Sequence, residues 1–208
     1  MFDKKVMTTL FVLFLVFALV GCGTQNSPTP APVAEELPLA NDALSSVNRV
    51  VSMASHQLFD ATPDPDGQMV YFTASDGEIG GVYRVAADGG EVTAVATGKP
   101  FVTPMGLAIS TDGQTLYVAD SSSGLYALSV AGGAPTLIIG TEGTMPQVPE
   151  VVNQDSQDQL YFSGTSGNEA AVFKMPAVGS AAPTVIFQGA PLVKPSGVAI
   201  TKEGVVYV

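Results

Sequence analysis

A tyrosine recurs along the chain at a nearly constant interval, and this repeat limits the possible folds more than any other feature. Each tyrosine follows a turn-forming pair and lies in a short run of β-branched, aliphatic and aromatic residues. A period in the middle forties is typical of chains built from one repeated unit, such as the four-stranded blade of a propeller. The tyrosines, 46, 44 and 46 residues apart, are Tyr71, Tyr117, Tyr161 and Tyr207.

The second repeat shows how one unit is organised. Its four apolar runs are Met105–Ile109, Thr115–Ala119, Leu125–Val130 and Thr136–Ile139, and Asp-Gly, Ser-rich or Gly-Gly stretches separate them. Short alternating runs between such turn signals are typical of strands joined by hairpins. The sequence therefore predicts an all-β protein, a β-propeller of four-stranded antiparallel blades.

The repeats end part-way through a unit. Pro195–Ile200 copies Pro104–Ile109, and Gly204–Val208 copies the second strand of a blade, which gives about three and a half blades. We interpret 47–208 as incomplete propeller repeats from a larger ring. The alternative is a small four-bladed ring, closed by a predicted outer strand at Val47–Met53.

The N-terminal 22 residues have the organisation of a signal peptide. Two lysines precede an unbroken apolar run, Leu10–Val20, which is too short to cross a bilayer as a helix. The run leads into Leu-Val-Gly-Cys, which resembles the cleavage motif of bacterial lipoproteins. The resemblance implies cleavage before Cys22, acylation of that cysteine and stable attachment to a membrane. Membrane lipid is thus an expected partner, and the extracytoplasmic side of the bacterial cell envelope is the expected location.

Residues 23–46 separate this motif from the repeats. Gly23–Asn41 contains four prolines among Ser, Thr, Ala and Glu residues. Such a composition cannot bury a hydrophobic core and favours an extended, flexible tether.

Composition excludes several classes of function. The net charge of −11 argues against nucleic acid as a partner, because phosphates would be repelled. One cysteine and one histidine, His56, exclude an intrachain disulfide and a Cys/His metal cluster. We interpret His56 as a rim or turn residue, with a general base or a metal ligand as the alternative. No phosphate-binding loop, catalytic carboxylate pair or nucleophile elbow is present, so no catalytic residue is predicted.

The motif Pro-x-Gly-[Leu/Val]-Ala-Ile, followed by a turn and Tyr-Val, resembles NHL-type and gluconolactonase/regucalcin-like six-bladed propellers over 47–208. In the lactonase-like members, the resemblance implies a divalent cation in the central channel, held partly by residues just before the motif glycine. Here Met105 and Ser196 occupy those places, and a thioether is a poor ligand for a hard cation. No cofactor is therefore predicted, and a divalent cation remains the alternative. The nearest inner-strand carboxylate is Glu150, expected level with Gly106.

Charged and polar residues at loops and strand ends are expected to form a binding face on one side of the disc. Loops on a rigid scaffold commonly carry binding function, although solvated surfaces have the same composition. The predicted function is a ligand- or protein-binding scaffold. The alternatives are a lactonase-like or hydrolase enzyme completed by further blades, and a truncated product without function. The predicted face comprises Asp76, Glu78, Asp120, Glu150, Asn153 and Glu169.

Overall fold

The computed structural model describes residues 49–140, 149–150, 152–178 and 181–208. The predicted signal peptide, Cys22 and the tether lie outside these residues. Within the described part of the chain, no helix is both long and apolar enough to cross a bilayer.

The described residues form three four-stranded antiparallel sheets and one two-stranded sheet, each in simple chain order. This arrangement confirms the predicted all-β fold of four-stranded propeller blades. Blade 1 contains β1 (Gln57–Pro63), β2 (Met69–Ser75), β3 (Gly80–Ala86) and β4 (Thr93–Thr97). Blade 2 contains β5 (Pro104–Ile109), β6 (Thr115–Asp120), β7 (Gly124–Ser129) and β8 (Thr136–Gly140). Blade 3 contains β9 (Val152–Gln154), β10 (Gln159–Ser166), β11 (Glu169–Pro176) and β12 (Thr184–Gln188). The two-stranded sheet contains β13 (Ala199–Ile200) and β14 (Val206–Tyr207).

The strand register confirms that the tyrosines are equivalent. Each lies in the second strand of its sheet and pairs with the inner strand at the same point. The first three are buried: Tyr71 packs in the layer between blades 1 and 2, and Tyr117 packs in the layer between blades 2 and 3. The pairs are Tyr71 with Thr62, Tyr117 with Ala108, Tyr161 with Asn153, and Tyr207 with Ala199.

The turn before each second strand uses one residue in the left-handed region. Glycine takes this conformation in three turns, with φ of 67° at Gly67, 71° at Gly113 and 83° at Gly204. Asp158 replaces it in blade 3 with φ of 56°, which aspartate tolerates better than most side chains. A polar side chain at the start of each turn accepts main-chain N–H groups and fixes its shape: Asp64, Ser110, Asp155 and Thr201.

Apolar residues of each outer strand pack against the next blade. Val95 and Ala96 of β4 cover a cluster that contains Leu116 and Val118 of blade 2. Ile138 and Ile139 of β8 cover the equivalent cluster of blade 3. The core of the protein is therefore a series of layers between consecutive blades.

The predicted strand at Val47–Met53 is wrong for residues 49–53, which have no strand conformation. The apolar side chains of this segment instead pack against Phe72 and Tyr83, on the face of blade 1 that does not contact blade 2. These side chains are Val50, Val51 and Met53. The alternating apolar residues of this segment thus reflect packing against the blade rather than pairing in a ladder. The inner strand of blade 1 is β1, which begins at Gln57.

Two apolar residues of β12 lack the cover that their counterparts have. In blade 3, Phe187 pairs with Val172, and the equivalent pair in blade 2 is Ile139 with Leu125. Ile186 and Phe187 are therefore equivalent to Ile138 and Ile139 of blade 2. They remain 41% and 45% exposed, because the sheet that follows blade 3 has only two strands among the described residues.

Candidate functional site

The inner strands of neighbouring blades converge on a central groove of about 350 Å³. Both β1 and β5 have a bulge at the same level, between Leu58 and Ala61 and between Pro104 and Gly106. Bulges bend a strand locally and re-aim its side chains. Phe59 and Met105, which lie within the bulges, line the groove as a result. Its polar lining side chains are Asp60, Thr62, Asn153 and Ser196.

Asp60 links blade 1 to blade 2 through a hydrogen bond, and it is not among the residues predicted from the sequence. Its Oδ2 accepts the N–H of Leu107 in β5 at 2.9 Å, and its Oδ1 accepts the N–H of Ala61 at 2.8 Å. The Asp60 N–H donates to Thr73 Oγ1 at 3.2 Å. The sequence signal available for Asp60 was an acidic residue in the middle of an inner strand. The equivalent positions in the other repeats hold glycine or an apolar residue, so the repeat itself did not point to Asp60.

Asn153 makes a similar tie on the other side of the groove. Its Nδ2 donates to the Val198 carbonyl at 3.2 Å, and its Oδ1 accepts the N–H of Gln154 at 2.7 Å. Two of the four polar side chains that line the groove, Asp60 and Asn153, are thus oriented by hydrogen bonds to the neighbouring sheet. Of the predicted binding residues, Asn153 is the one that lines this groove.

Glu150 lies one place from its expected position. Val152 pairs with Phe162 as Leu107 pairs with Val118, so Glu150 is level with Met105 rather than Gly106. Its Oε1 lies 3.9 Å from Lys194 Nζ, and its N–H donates to the Ser163 carbonyl at 3.3 Å. Glu150 therefore lies at the start of the inner strand, beside the connection from blade 3 to the next sheet.

The residues of the groove do not fit a divalent cation. Hard cations such as calcium take six to eight oxygen ligands, usually including several carboxylates. Among the described residues, no group of three or more His, Cys, Asp and Glu side chains is placed to hold a metal ion. The oxygens of Asp60 and Asn153 accept main-chain N–H groups, and Met105 supplies only a sulfur.

The antiparallel strand order brings one set of loops to the same end of every blade. We call this end the upper face; it comprises the β2–β3, β6–β7 and β10–β11 loops and the starts of the inner strands. Asp76 and Glu78 lie in the β2–β3 loop, Glu169 begins β11, and Glu150 precedes β9. The topology therefore brings four of the predicted binding residues to one face.

Asp76 is fixed by its own loop. Its Oδ1 accepts the N–H groups of Glu78 and Ile79 at 2.9 and 2.8 Å. Main-chain hydrogen bonds from Ile79, and then from Glu78, hold the pKa of Asp76 below its usual value, so the carboxylate is charged at neutral pH. Glu169 is held differently: its Oε2 accepts a hydrogen bond from Gln188 Nε2 at 2.7 Å.

Asp120 has a structural role that its predicted place on the binding face did not anticipate. The residue is 0% exposed. Its Oδ2 accepts the N–H groups of Val102 and Thr103, both at 2.8 Å, and its Oδ1 accepts that of Ser122 at 2.9 Å. Asp120 therefore fastens the connection between blades 1 and 2, and its carboxylate is not free to contact a partner.

The resemblance detected in the sequence is also found by comparison with known protein families. A family model described as the SMP-30/gluconolactonase/LRE-like region matches residues 41–136. The matched residues include all of blade 1 and most of blade 2. A search of curated proteins finds no relative of this chain.

Solved structures with a similar fold come from proteins of different kinds. A chain of the nidogen/laminin complex is 17% identical, with a TM-score of 0.62 over 73% of this chain and 56% of that one. TolB from Acinetobacter baumannii is 12% identical, with a TM-score of 0.52 over 71% of this chain and 36% of that one. Hydrazine synthase from Kuenenia stuttgartiensis is 19% identical, with a TM-score of 0.51 over 71% of this chain and 40% of that one. The chain spans less than two thirds of each, and identities this low define the fold alone: a β-propeller.

Proposed function

We propose that this protein is a membrane-anchored, extracytoplasmic β-propeller that binds a ligand or a protein partner at its central groove and upper face. The observation that carries the proposal is the groove itself, where side chains from successive blades converge. Ligand sites are commonly concave, largely preformed and lined by apolar groups with a few placed polar ones. Apolar residues such as Phe59 and Met105 line the groove, but most of the surface exposed in it is polar. The hydrogen bonds made by Asp60 and Asn153 hold two of its polar side chains in place.

The charge on the upper face favours some partners over others. Asp76 and Glu78 are exposed carboxylates, and the chain as a whole carries a net charge of −11. Like charges across an interface are unfavourable, so partners that are neutral or positively charged where they contact this face are preferred. Nucleic acid is not among the partners that we propose.

Attachment to the membrane is proposed through Cys22, because it follows an apolar run and a small residue. Replacing Cys22 with Ser is expected to abolish acylation and release the protein from bacterial membranes, because the thioether to lipid needs a thiol. Labelling with a radioactive fatty acid, followed by separation of membranes from soluble protein, measures both effects.

Two matched variants sharpen this test. Ser27→Ala changes the tether and is expected to keep both label and membrane attachment. Combining Cys22→Ser with Ser27→Cys restores a thiol outside the motif and is expected to leave the chain unlabelled. Fatty-acid label on the Cys22→Ser protein would rule out lipidation at this site.

A lactonase-like or hydrolase enzyme is the second candidate, favoured by the family model that matches residues 41–136. Such an enzyme would have its site completed by residues beyond those described here. Calcium-dependent hydrolysis of glucono-δ-lactone by the purified protein would support the enzyme and contradict a purely binding role. Folded protein with no turnover supports the scaffold.

A further inference from the structure

A second concave site lies on the upper face of blade 1. The segment before β1 and the β2–β3 loop enclose a cleft of about 490 Å³, which we call the upper cleft. Ser75 fixes its floor, since its Oγ donates to the Val102 carbonyl at 3.0 Å and accepts the N–H of Gly77 at 3.1 Å. The residues that line the upper cleft include His56, Gln57, Phe59, Ser75, Asp76 and Thr103.

The wall formed by the segment before β1 is held in an unusual conformation. Ser55 has φ of 65°, a region that side chains other than those of Gly, Asn and Asp rarely occupy. The neighbouring ring of His56 is fixed by a 3.1 Å hydrogen bond between Nδ1 and the Ala54 carbonyl. It also lies edge-on to Tyr83 at 6.1 Å, and Tyr83 in turn stacks on Phe72. Backbone strain persists only where surrounding contacts enforce it, and it is frequent at binding sites.

Asp76 supplies a carboxylate that is available at this site. Both of its main-chain hydrogen bonds end on Oδ1, which leaves Oδ2 free to meet a ligand. Burial and then the charge of Asp76 raise the pKa of Tyr83, whose ring lies behind the cleft. Among the residues that the structure describes, no lysine or arginine lines the cleft, although His56 does.

We propose that the upper cleft binds an organic ammonium ion. The Asp76 carboxylate attracts such a cation through its charge, and the ring of Phe59, which also lines the cleft, adds the attraction of its negative face. An anion would meet the Asp76 charge with no lysine or arginine of the described residues beside it, and a neutral ligand would leave that charge unused. The net charge of −11 adds a long-range attraction for cations. This site deepens the proposed binding function, on which its biological use rests.

Two probes of the same shape test the proposal on the full chain, purified in a maltoside detergent. Choline carries a quaternary ammonium group, and 3,3-dimethylbutan-1-ol replaces the nitrogen with carbon. Titration calorimetry and saturation-transfer NMR are expected to show choline binding about tenfold more tightly than the alcohol, which corresponds to about 1.4 kcal/mol. Raising the salt concentration is expected to weaken choline binding only.

Two variants of blade 1 assign the effect to the cleft. Asp76→Asn keeps an oxygen for the main-chain N–H groups, and it is expected to weaken choline binding about fivefold or more. Asp88→Asn removes an equal charge from the exposed turn after β3, outside the cleft, and binding should stay within about twofold. Equal binding of the two probes, no choline binding by folded protein, or unchanged binding by Asp76→Asn would each overturn the proposal. None of these results bears on the central groove, so failure here is distinct from failure of the proposed function.

Discussion

Replacing Phe162 with alanine is expected to lower the free energy of unfolding by about 3–5 kcal/mol. The ring is 0% exposed and stacks on Phe173, with centroids 5.3 Å apart and planes 12° from parallel. The same cluster contains Ala108 and Tyr117 of blade 2. The substitution therefore opens a cavity in the layer that joins blades 2 and 3, and removes a stacking contact as well.

Denaturant unfolding followed by far-ultraviolet circular dichroism measures this change. Phe187→Ala is the matched control, since it removes the same side chain from β12, where the residue is 45% exposed. The control is expected to cost less than about half as much, because nearly half of the residue is already in contact with water and its removal opens no enclosed cavity. Equal costs at the two positions would contradict the arrangement of blades described here.

Asp120→Ala is expected to cost about 3 kcal/mol or more, although it removes no apolar contact. Three main-chain N–H groups lose their acceptor, from Val102, Thr103 and Ser122. Groups left without an acceptor in a partly buried connection cannot recover full hydration. Asp120→Asn should cost less, because its one amide oxygen still accepts from this connection.

Hydrogen exchange identifies the mechanism as well as the cost. The amides of Val102 and Thr103 are expected to exchange faster in Asp120→Ala, while those of β10 remain protected. Asp88→Ala, in the exposed turn after β3, controls for loss of charge and should change stability by less than about 0.5 kcal/mol. If Asp120→Ala itself changes the free energy of unfolding by less than about 0.5 kcal/mol, the carboxylate is not the acceptor that these amides need.

The propeller fold could be predicted because its signals repeat. A tyrosine in every second strand and a turn with one left-handed residue before it recur at nearly one spacing, and each copy strengthens the interpretation of the others. Within a blade, the apolar runs of the second repeat match β5 to β8 to within one or two residues. The local residue pattern of these repeats agrees with the overall fold, and this agreement is what allows a fold to be predicted from a sequence.

The inner strand of blade 1 was missed because its polar residues conceal it. Asp60 and Pro63 interrupt the apolar pattern of β1, whereas the segment 49–53 has a better pattern but only packs on the blade face. Asp60 is tolerated in the strand because the neighbouring blade supplies an N–H group for its carboxylate. That contact joins residues 47 positions apart, so no local pattern could show it.

The role of Asp120 was obscured for a related reason. A carboxylate at the end of a strand, followed by serines, has the composition of a solvated loop. Its burial depends on the connection from the preceding blade folding over it, which is a property of the assembled blades. Asp76, with nearly the same local sequence setting, remains exposed. Sequence could therefore place these residues at loops but could not separate the structural carboxylate from the accessible one.

Site-specific photocrosslinking in bacterial cells tests most directly whether the groove and the upper face form the binding surface. A photoreactive phenylalanine analogue replaces Met105 in the groove, Glu78 on the upper face, or Lys202 in the turn between β13 and β14 at the opposite end. After irradiation, intact-mass measurement and gel mobility detect small-molecule and protein adducts respectively. We predict adducts at Met105 or Glu78 and none above background at Lys202. Adducts at Lys202 alone, or equally at all three positions, would contradict binding at the groove and upper face.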